Sequence, residues 1–318
     1  MYNHDENIMN RRSFIGKTSL FAAGIFLLPK EIFARQESPV ITIMNAAKTA
    51  KINVTGLRGK ISMVEGSGGN IAVLDGPKGK LLVDAGIGVS KPNVLPALNS
   101  ISKSPIKYLV NTHWHFDHAD GNKWVHEAGA TIIAHENTLK HLNATVRVDD
   151  WNYTFPPAPK GALPTVTFKN MHTLEYNGEK ILMQKYKNAH TDSDISVHFP
   201  QADILHVGDT LWNGHYPFID YSTGGSIDGM IAAGAMNIKN CGTKTIVIPG
   251  HGPAADINTL LEFQEMLTDI REKVATLKKQ GRSLEEVVAA NPTGKYDAKY
   301  GGFVITGKVF TYLVYKGL

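Results

Sequence analysis

The amino-acid sequence predicts an α/β protein with two β-sheets and helices on the outside. Two sets of short apolar strands, beginning near residues 40 and 165, are each followed by helices, which is typical of layered α/β folds. A chain of 318 residues with 42% hydrophobic side chains is long enough to form a large core.

The first 34 residues are typical of an export signal. Asn10-Arg11-Arg12-Ser13-Phe14 precedes a short apolar stretch over residues 18–29, and Ile32-Phe33-Ala34 offers a cleavage site. This pattern resembles a twin-arginine signal. An uncleaved membrane anchor is the alternative, and either Met1 or Met9 could be the start. We therefore expect a periplasmic or otherwise exported protein whose mature part begins near residue 35.

The first half of the mature chain is expected to alternate strands and helices. From about Val40 it has the pattern of short strands with glycine turns, and residues 71–74 and 80–83 flank a predicted hairpin turn at Asp75–Gly79. Further elements are predicted in this order: a helix at 92–102, a strand at 107–110, a helix after His118, a strand at 131–134 and a helix at 136–144.

The second half begins with a proline-rich segment, residues 151–164, that predicts a loop. The elements predicted after it are strands at 165–168, 171–176, 179–187, 195–199, 203–208 and 245–248, with a helix at 226–240. An apolar stripe then predicts a long helix that ends at Gly281, and Ser283 with Glu286 forms a capping-box pattern. Residues 306–317 fit either a helix or a strand. We find no interdomain linker, so residues 35–318 are expected to be a single catalytic domain with a helical C-terminal extension from about residue 256.

Composition restricts the partners. A formal net charge of +4 without a long basic tract argues against nucleic acid, and no apolar run beyond the N-terminus approaches the ~20 residues of a membrane span. Cys241 is the only cysteine, which excludes an internal disulfide and a cysteine-rich metal site. We expect a small-molecule substrate and no membrane partner for the mature protein, while the oligomeric state is left open.

The run His113-Trp114-His115-Phe116-Asp117-His118 predicts a metal site. It follows a predicted strand, where alternate residues face the same way, so His113 and His115 would share one face. Asp117 and His118 lie beyond the turn and could reach a second point close by. Histidine and carboxylate donors without cysteine suit zinc or another borderline divalent metal.

Four more motifs accompany this run in the order Leu82–Gly86 (LVDAG), Ala189–Asp194 (AHTDSD), Val207–Thr210 (VGDT) and Pro249–Gly252 (PGHG). Together they resemble the metallo-β-lactamase superfamily over about residues 40–255. The resemblance implies a four-layer αββα sandwich, with the site at one edge where loops of the two sheets meet.

The resemblance also implies a ligand set for two Zn²⁺ ions. His113, His115 and His190 would hold one metal, Asp117, His118 and His251 would hold the second, and Asp209 would bridge them. A metal-bound hydroxide would attack the substrate, and Asp117 would orient it and pass a proton to the leaving group.

Two further residues are expected beside the metals. Asp84 is predicted to support the ligand-bearing loop through hydrogen bonds, and His215 is a candidate for contact with substrate or ligands. His126, His141, His172, His198 and His206 fit structural positions, and His135 is open between the two roles.

The leading hypothesis is an exported dinuclear zinc hydrolase that opens a carbonyl substrate, with a β-lactam or a lactone or other ester as the best guess. The alternatives are a mononuclear iron dioxygenase of the same fold, a glyoxalase II-like thioesterase and a binding module without turnover. The C-terminal helices lack the clustered basic residues expected for a glutathione conjugate. Substrate identity depends on loops at 66–70, 145–164 and 212–228, which carry no recognisable motif. The choice among zinc, iron and manganese in vivo is also left open.

Overall fold

A seven-stranded sheet and a five-stranded sheet form the centre of the structure. This computed structural model describes residues 38–318, so the predicted export signal lies outside the described residues. The strands are β1 (Asn53–Gly56), β2 (Ile61–Glu65), β3 (Ile71–Leu74), β4 (Lys80–Val83), β5 (Ile106–Val110), β6 (Thr131–His135), β7 (Val146–Val148), β8 (Tyr153–Phe155), β9 (Val166–Phe168), β10 (Met171–Tyr176), β11 (Glu179–Lys185), β12 (Ile195–Phe199), β13 (Ile204–Trp212) and β14 (Ile246–His251).

Ten α-helices are assigned within the described residues. They are α1 (Pro39–Ala47), α2 (Lys91–Ile101), α3 (Phe116–Ala119), α4 (Asn122–Glu127), α5 (Glu136–Leu142), α6 (Ile227–Asn240), α7 (Ile257–Lys279), α8 (Leu284–Ala289), α9 (Asp297–Tyr300) and α10 (Gly307–Lys316). None of the helices in residues 38–318 combines the length and the apolar character that a membrane crossing requires.

Each sheet contains a parallel pair that carries site residues. The first sheet has the order β1-β2-β3-β4-β5-β6-β9, and β4, β5, β6 and β9 run parallel. The second has the order β10-β11-β12-β13-β14, in which only the β13–β14 pair is parallel. Because neighbouring parallel strands end at the same edge of a sheet, residues that follow β4 and β5 are brought together. The same holds for the ends of β13 and β14.

The two sheets are packed face to face with helices on both outer surfaces. On β4, Leu81 and Val83 face the second sheet while Leu82 faces α2 and α4. On β13, Ile204 faces the first sheet while Leu205 packs in the cluster that includes α6 and α7. The alternation has the two-residue period of a strand, and buried faces on both sides explain the continuous apolar runs. The predicted αββα sandwich is confirmed.

The predicted strand character from Val40 is wrong, because residues 39–47 form helix α1. Ser38 accepts a hydrogen bond from the Val40 backbone NH, and Pro39 stands in the first helical turn, where it needs no hydrogen-bond donor. The β-branched residues of this segment favour a strand, but the cap and the burial of Val40 and Ala47 favour the helix.

The prediction of a loop over residues 151–164 is also partly wrong. Tyr153–Phe155 forms β8, which pairs with β7 in a two-stranded hairpin, and a 3₁₀ turn at Asp149–Trp151 joins the two strands. The ambiguous segment at 306–317 is helical: α10 begins after Thr306, whose side chain accepts from the Val309 NH. The capping box at Ser283 and Glu286 is confirmed.

Candidate metal centre

The residues of the predicted site come from five places in the fold that meet at one edge of the sandwich. His113 and His115 follow β5, and Asp117 and His118 lie in the single turn of α3. The other three members come from the second sheet: His190 in the β11–β12 connection, Asp209 within β13 and His251 at the end of β14.

These residues form two donor groups. One contains His113, His115, His190 and Asp209, all buried, and the other contains Asp117, His118 and His251. Within each group, one donor atom from every residue lies within 4.8 Å of the others. The structure thus brings together the residues that the resemblance assigns to each metal, and their role as ligands stays a prediction.

Asp209 lies between the two groups. Its Oδ2 atom is 3.3 Å from His190 Nε2 on one side and 3.5 Å from His251 Nε2 on the other. Its Oδ1 atom is 3.0 Å from His118 Nε2. A carboxylate whose oxygens lie near donors of both groups can bridge two cations, which is the role that the sequence resemblance implies for Asp209.

Three of the histidines have their outer ring nitrogen fixed by an acceptor. His118 Nδ1 donates to Asp84 Oδ2 at 2.7 Å, His190 Nδ1 donates to the Phe218 carbonyl at 2.8 Å, and His115 Nε2 lies 3.0 Å from Asp220 Oδ2. An imidazole that donates from one nitrogen presents a lone pair on the other when it is neutral. These contacts therefore aim the lone pairs of all three rings at the cluster.

These lone pairs face one another inside the cluster, which is the arrangement expected around a bound cation. His115 Nδ1 and His190 Nε2 lie only 2.8 Å apart, although the outer nitrogen of each ring holds the proton. His113 Nε2, His118 Nε2, His251 Nε2 and Asp209 Oδ1 are buried without a hydrogen-bond partner. Buried polar atoms are normally paired, so these donors fit a divalent metal ion.

The electrostatics differ between the two donor groups: for His118, burial is outweighed by Asp209, Asp117 and Asp84, which raise its pKa well above the ordinary histidine value. Burial lowers the pKa of His113 well below the ordinary histidine value and also lowers the pKa of His190, which favours the neutral rings that metals require. Burial opposes ionisation of Asp209, but the adjacent histidines hold the pKa of its carboxyl well below the usual range. For His251, burial is outweighed by Asp209 and Asp117, which raise its pKa to about 9.

Asp84 supports the ligand loop, as the sequence predicts. Its two oxygens accept from the Thr112 backbone NH and hydroxyl at 2.7 Å each, and from His118. The residue follows β4 with φ 65° and is fully buried. The left-handed backbone at this position directs the Asp84 carboxylate toward the loop after β5. The Asp84 side chain therefore orients both that loop and the His118 ring.

Asp220 has a matching position under His115, and the sequence did not reveal it. Besides His115, its carboxylate accepts from the Thr223 hydroxyl at 2.6 Å and from the Ser222 NH at 2.9 Å. The Thr223 hydroxyl in turn accepts from the Trp114 indole NH at 3.1 Å. Asp220 is a single aspartate in Phe-Ile-Asp-Tyr and is not part of a motif with recognisable spacing. Only the fold brings residues 115 and 220 together.

Two glycines leave room for the cluster. A side chain at Gly69 would collide with the His118 ring, and one at Gly250 would collide with Asp209. Neither position has a left-handed backbone angle, so these glycines are required by close approach and not by conformation.

The cluster opens to solvent on one side. The side chains of Asp117 and His251 are each 12% exposed, whereas those of His113, His118 and Asp209 are at most 2% exposed. Solvent therefore reaches the donor groups past Asp117 and His251. The indole of Trp212 borders this opening, with its ring centroid 4.4 Å from that of His251.

His215 lies beside this opening but does not contact the donor groups directly. Its ring centroid lies 4.8 Å from that of Phe303 with the ring planes tilted by 37°, and burial lowers its pKa. His135, which the sequence leaves open, is structural: it caps α5 through Nδ1 and donates from Nε2 to the Lys169 carbonyl. His206 is buried with Nε2 facing the Asn70 carbonyl, as expected for a structural position.

Comparison with curated proteins finds thioester hydrolases. The cytoplasmic isozyme of hydroxyacylglutathione hydrolase from Saccharomyces cerevisiae is 30% identical over 173 residues, which cover 52% of this chain and 57% of that protein. The hydroxyacylglutathione hydrolase from Erythrobacter litoralis is 32% identical over 108 residues, or 34% of this chain and 35% of that protein. The chain thus spans only part of the length of these relatives.

Solved structures share the fold at low identity. A metallo-beta-lactamase from Pontibacter korlensis matches with a TM-score of 0.56 and 21% identity over 69% of this chain and 100% of that chain. A stereoselective inverting sec-alkylsulfatase from Pseudomonas sp. matches with a TM-score of 0.64 and 15% identity over 91% of this chain and 54% of that chain. At such identities the likeness establishes the fold alone.

The family comparison covers the whole site. The family model of the metallo-beta-lactamase superfamily matches residues 64–257, which include both donor groups, Asp84 and Asp220. The match extends over more than half of the chain and agrees with the αββα sandwich. The chain belongs to the metallo-beta-lactamase superfamily.

Proposed function

We propose that the protein is an exported dinuclear zinc hydrolase of acyl compounds, with esters, lactones and β-lactams as the leading substrate class. One observation carries the proposal: two donor groups share Asp209 and open to solvent only where Asp117 and His251 lie. His113, His115 and His190 would hold one metal and Asp117, His118 and His251 the other. The signal pattern at residues 10–34 supports export.

Bound zinc would supply a water acidic enough to ionise near neutral pH and would polarise the substrate carbonyl. The remaining chemistry belongs to the protein. The Asp117 carboxylate, at the mouth of the site, takes a proton from the attacking water and passes it to the leaving atom. Asp84 and Asp220 hold the rings of His118 and His115 in place, so little reorganisation is needed during the reaction.

A second candidate is a thioesterase, and the two curated relatives favour it because both are hydroxyacylglutathione hydrolases. The charges of the C-terminal region argue against a glutathione conjugate. Lys273, Lys295, Lys299 and Lys316 each form an ion pair with a neighbouring carboxylate. Paired lysines provide less attraction for the carboxylates of glutathione.

Hydrolysis assays on the zinc-loaded protein test the proposal. The substrates are a simple ester, a lactone, a β-lactam and a hydroxyacyl thioester of glutathione. We expect the highest kcat/KM on an oxygen ester, a lactone or a β-lactam, and Asp117→Asn should lower kcat by roughly 10²–10⁴-fold. A preference for the glutathione thioester would support the second candidate. Oxygen consumption without hydrolysis would instead indicate an iron dioxygenase.

A further inference from the structure

Two apolar side chains are exposed to solvent beside the opening of the site. Phe303 is 44% exposed and Val304 is 43% exposed, and they are adjacent in the connection between α9 and α10. Among the described residues, Phe303 is the only phenylalanine, tyrosine or tryptophan in the exposed class. Scattered exposed apolar residues are ordinary, but a neighbouring pair next to a site is informative.

This segment is fixed at both ends, so the exposure of its middle is not a frayed end. On one side the Tyr300 carbonyl accepts from the Tyr216 NH at 2.9 Å. On the other side Ile305 is buried, and Thr306 caps α10. Phe303 and Val304 are therefore solvent-exposed residues in a segment that is fixed on both sides.

Ring contacts connect this pair to the opening. Phe303 lies 4.8 Å from the His215 ring and 6.3 Å from the Trp212 ring, measured between centroids. Trp212 is in turn 4.4 Å from His251, one of the two solvent-facing members of the donor groups. Trp212 is itself mostly buried, so these contacts place Phe303 beside the opening, with the Trp212 ring packed between Phe303 and His251.

The opposite wall is also aromatic. Trp151 lies 4.9 Å from the His115 ring and stacks on Phe218 at 4.6 Å. Phe218 is buried and Trp151 is half-buried, so Trp151 is the residue of this pair that can offer apolar surface beside the donor groups, as in pockets that hold a ligand by apolar contact.

We propose that Phe303 and Val304 bind an apolar acyl group of the substrate, so that the enzyme prefers acyl compounds with a medium-length alkyl chain or an aryl group. The inference rests on the proposed hydrolase function and deepens it. The scissile carbonyl sits at Asp117 and His251, and the acyl chain extends over Trp212 to Phe303. Each methylene removed from water by these side chains raises kcat/KM by up to about fourfold.

The test compares p-nitrophenyl esters whose acyl chain grows from acetate to octanoate, with the leaving group unchanged. In the zinc-loaded protein we expect kcat/KM to rise with chain length, by about tenfold or more overall. Phe303→Ala should remove most of this rise, and Phe303→Leu should restore it in part. Met171→Ala is the control, because Met171 is 70% exposed on β10, at the opposite edge of the second sheet from β14.

A binding measurement separates failure of this inference from failure of the hydrolase proposal. Titration calorimetry compares octanoate with acetate, which correspond to the reaction products and need no turnover. The protein could hydrolyse no ester and still bind octanoate more tightly than acetate, with the difference lost in Phe303→Ala. In that case the hydrolase proposal fails, but the proposed binding of apolar chains by Phe303 is supported. If Phe303→Ala changes neither the chain-length dependence nor octanoate binding, the inference is overturned.

Discussion

His115 Nε2 and Asp220 Oδ2 lie 3.0 Å apart, and both side chains are buried. The pair comes from opposite sheets of the sandwich: His115 follows β5 and Asp220 lies in the connection between β13 and α6. Because Asp220 holds the outer nitrogen of His115, the inner Nδ1 atom is fixed toward His190 and the donor group.

Asp220→Asn is therefore expected to weaken metal binding about 10–100-fold without unfolding the protein. An amide can donate to His115 as well as accept, so it no longer enforces the tautomer that points a lone pair at the metal. Competition with a chromogenic chelator measures the affinity. Asp192→Asn is the matched control, because Asp192 also contacts a histidine, His141, at 2.7 Å, but that pair lies outside the donor groups. Equal losses in the two variants would contradict the positioning role of Asp220.

The contrast between Asp220 and the donor residues shows what a sequence can reveal about this site. His113, His115, Asp117 and His118 are clustered in six residues, and this clustering alone predicts a metal site. Asp220 is isolated in the chain and has meaning only where the β13–α6 connection passes under His115. The walls formed by Trp151 and Phe303 were missed for the same reason, since both depend on loop placement.

The fold was predictable where local signals agree and less so where they conflict. The strands β3 and β4 are short apolar runs that flank the turn signal at Asp75–Gly79, and the long helix α7 has a clear apolar period. In α1, the β-branched residues at 40–43 favour a strand, while Ser38 and Pro39 form a helix start that periodicity does not show. In α10, apolar residues occur on most positions, so burial against α7 and α8 decides in favour of a helix.

Gly69→Ala is expected to disturb the donor group that contains His118. The added methyl group would collide with the His118 ring, which is already held by Asp84, so the ring must move away from Asp209. We expect loss of one of the two metals and at least about a tenfold fall in kcat. Metal analysis of the purified variant checks this. Gly56→Ala is the control, since a side chain there meets no atom within 4 Å, and a metal content equal in both variants would refute the close-approach argument.

Lys316→Met should destabilise the protein through Asp150. The Asp150 carboxylate is nearly buried and accepts from Lys316 Nζ at 2.8 and 3.0 Å, which ties α10 to the 3₁₀ turn that carries Trp151. Removing the cation takes away the ion-pair partner of the buried Asp150 carboxylate and leaves it the Tyr312 hydroxyl at 2.8 Å; we expect a loss of about 1–3 kcal/mol in the free energy of unfolding, because Lys316 itself is partly exposed.

Urea unfolding measures this loss. Lys299→Met is the matched control: the Lys299–Glu262 pair is exposed on both sides and should contribute less than about 1 kcal/mol. The double variant Asp150→Asn/Lys316→Met should recover part of the stability, because it no longer buries an unpaired charge. Similar losses for Lys316→Met and Lys299→Met would show that burial of Asp150 does not matter.

Export is expected to depend on the paired arginines. Replacing Arg11 and Arg12 by lysine keeps the charge of the segment but removes the pair that a twin-arginine signal requires. We expect the double variant to accumulate in the cytoplasm with its N-terminus uncleaved. Cell fractionation and mass spectrometry of the N-terminus report both outcomes, and unchanged export of the variant would exclude the twin-arginine route.

The metal content of the purified protein tests the account most directly. Elemental analysis for zinc, iron and manganese, normalised to protein concentration, should give about two zinc ions per chain in the wild type. In Asp209→Ala the content should fall to one or fewer, because Asp209 faces both donor groups. One iron per chain with negligible zinc, or a wild-type protein that binds no divalent metal, would contradict the dinuclear zinc centre.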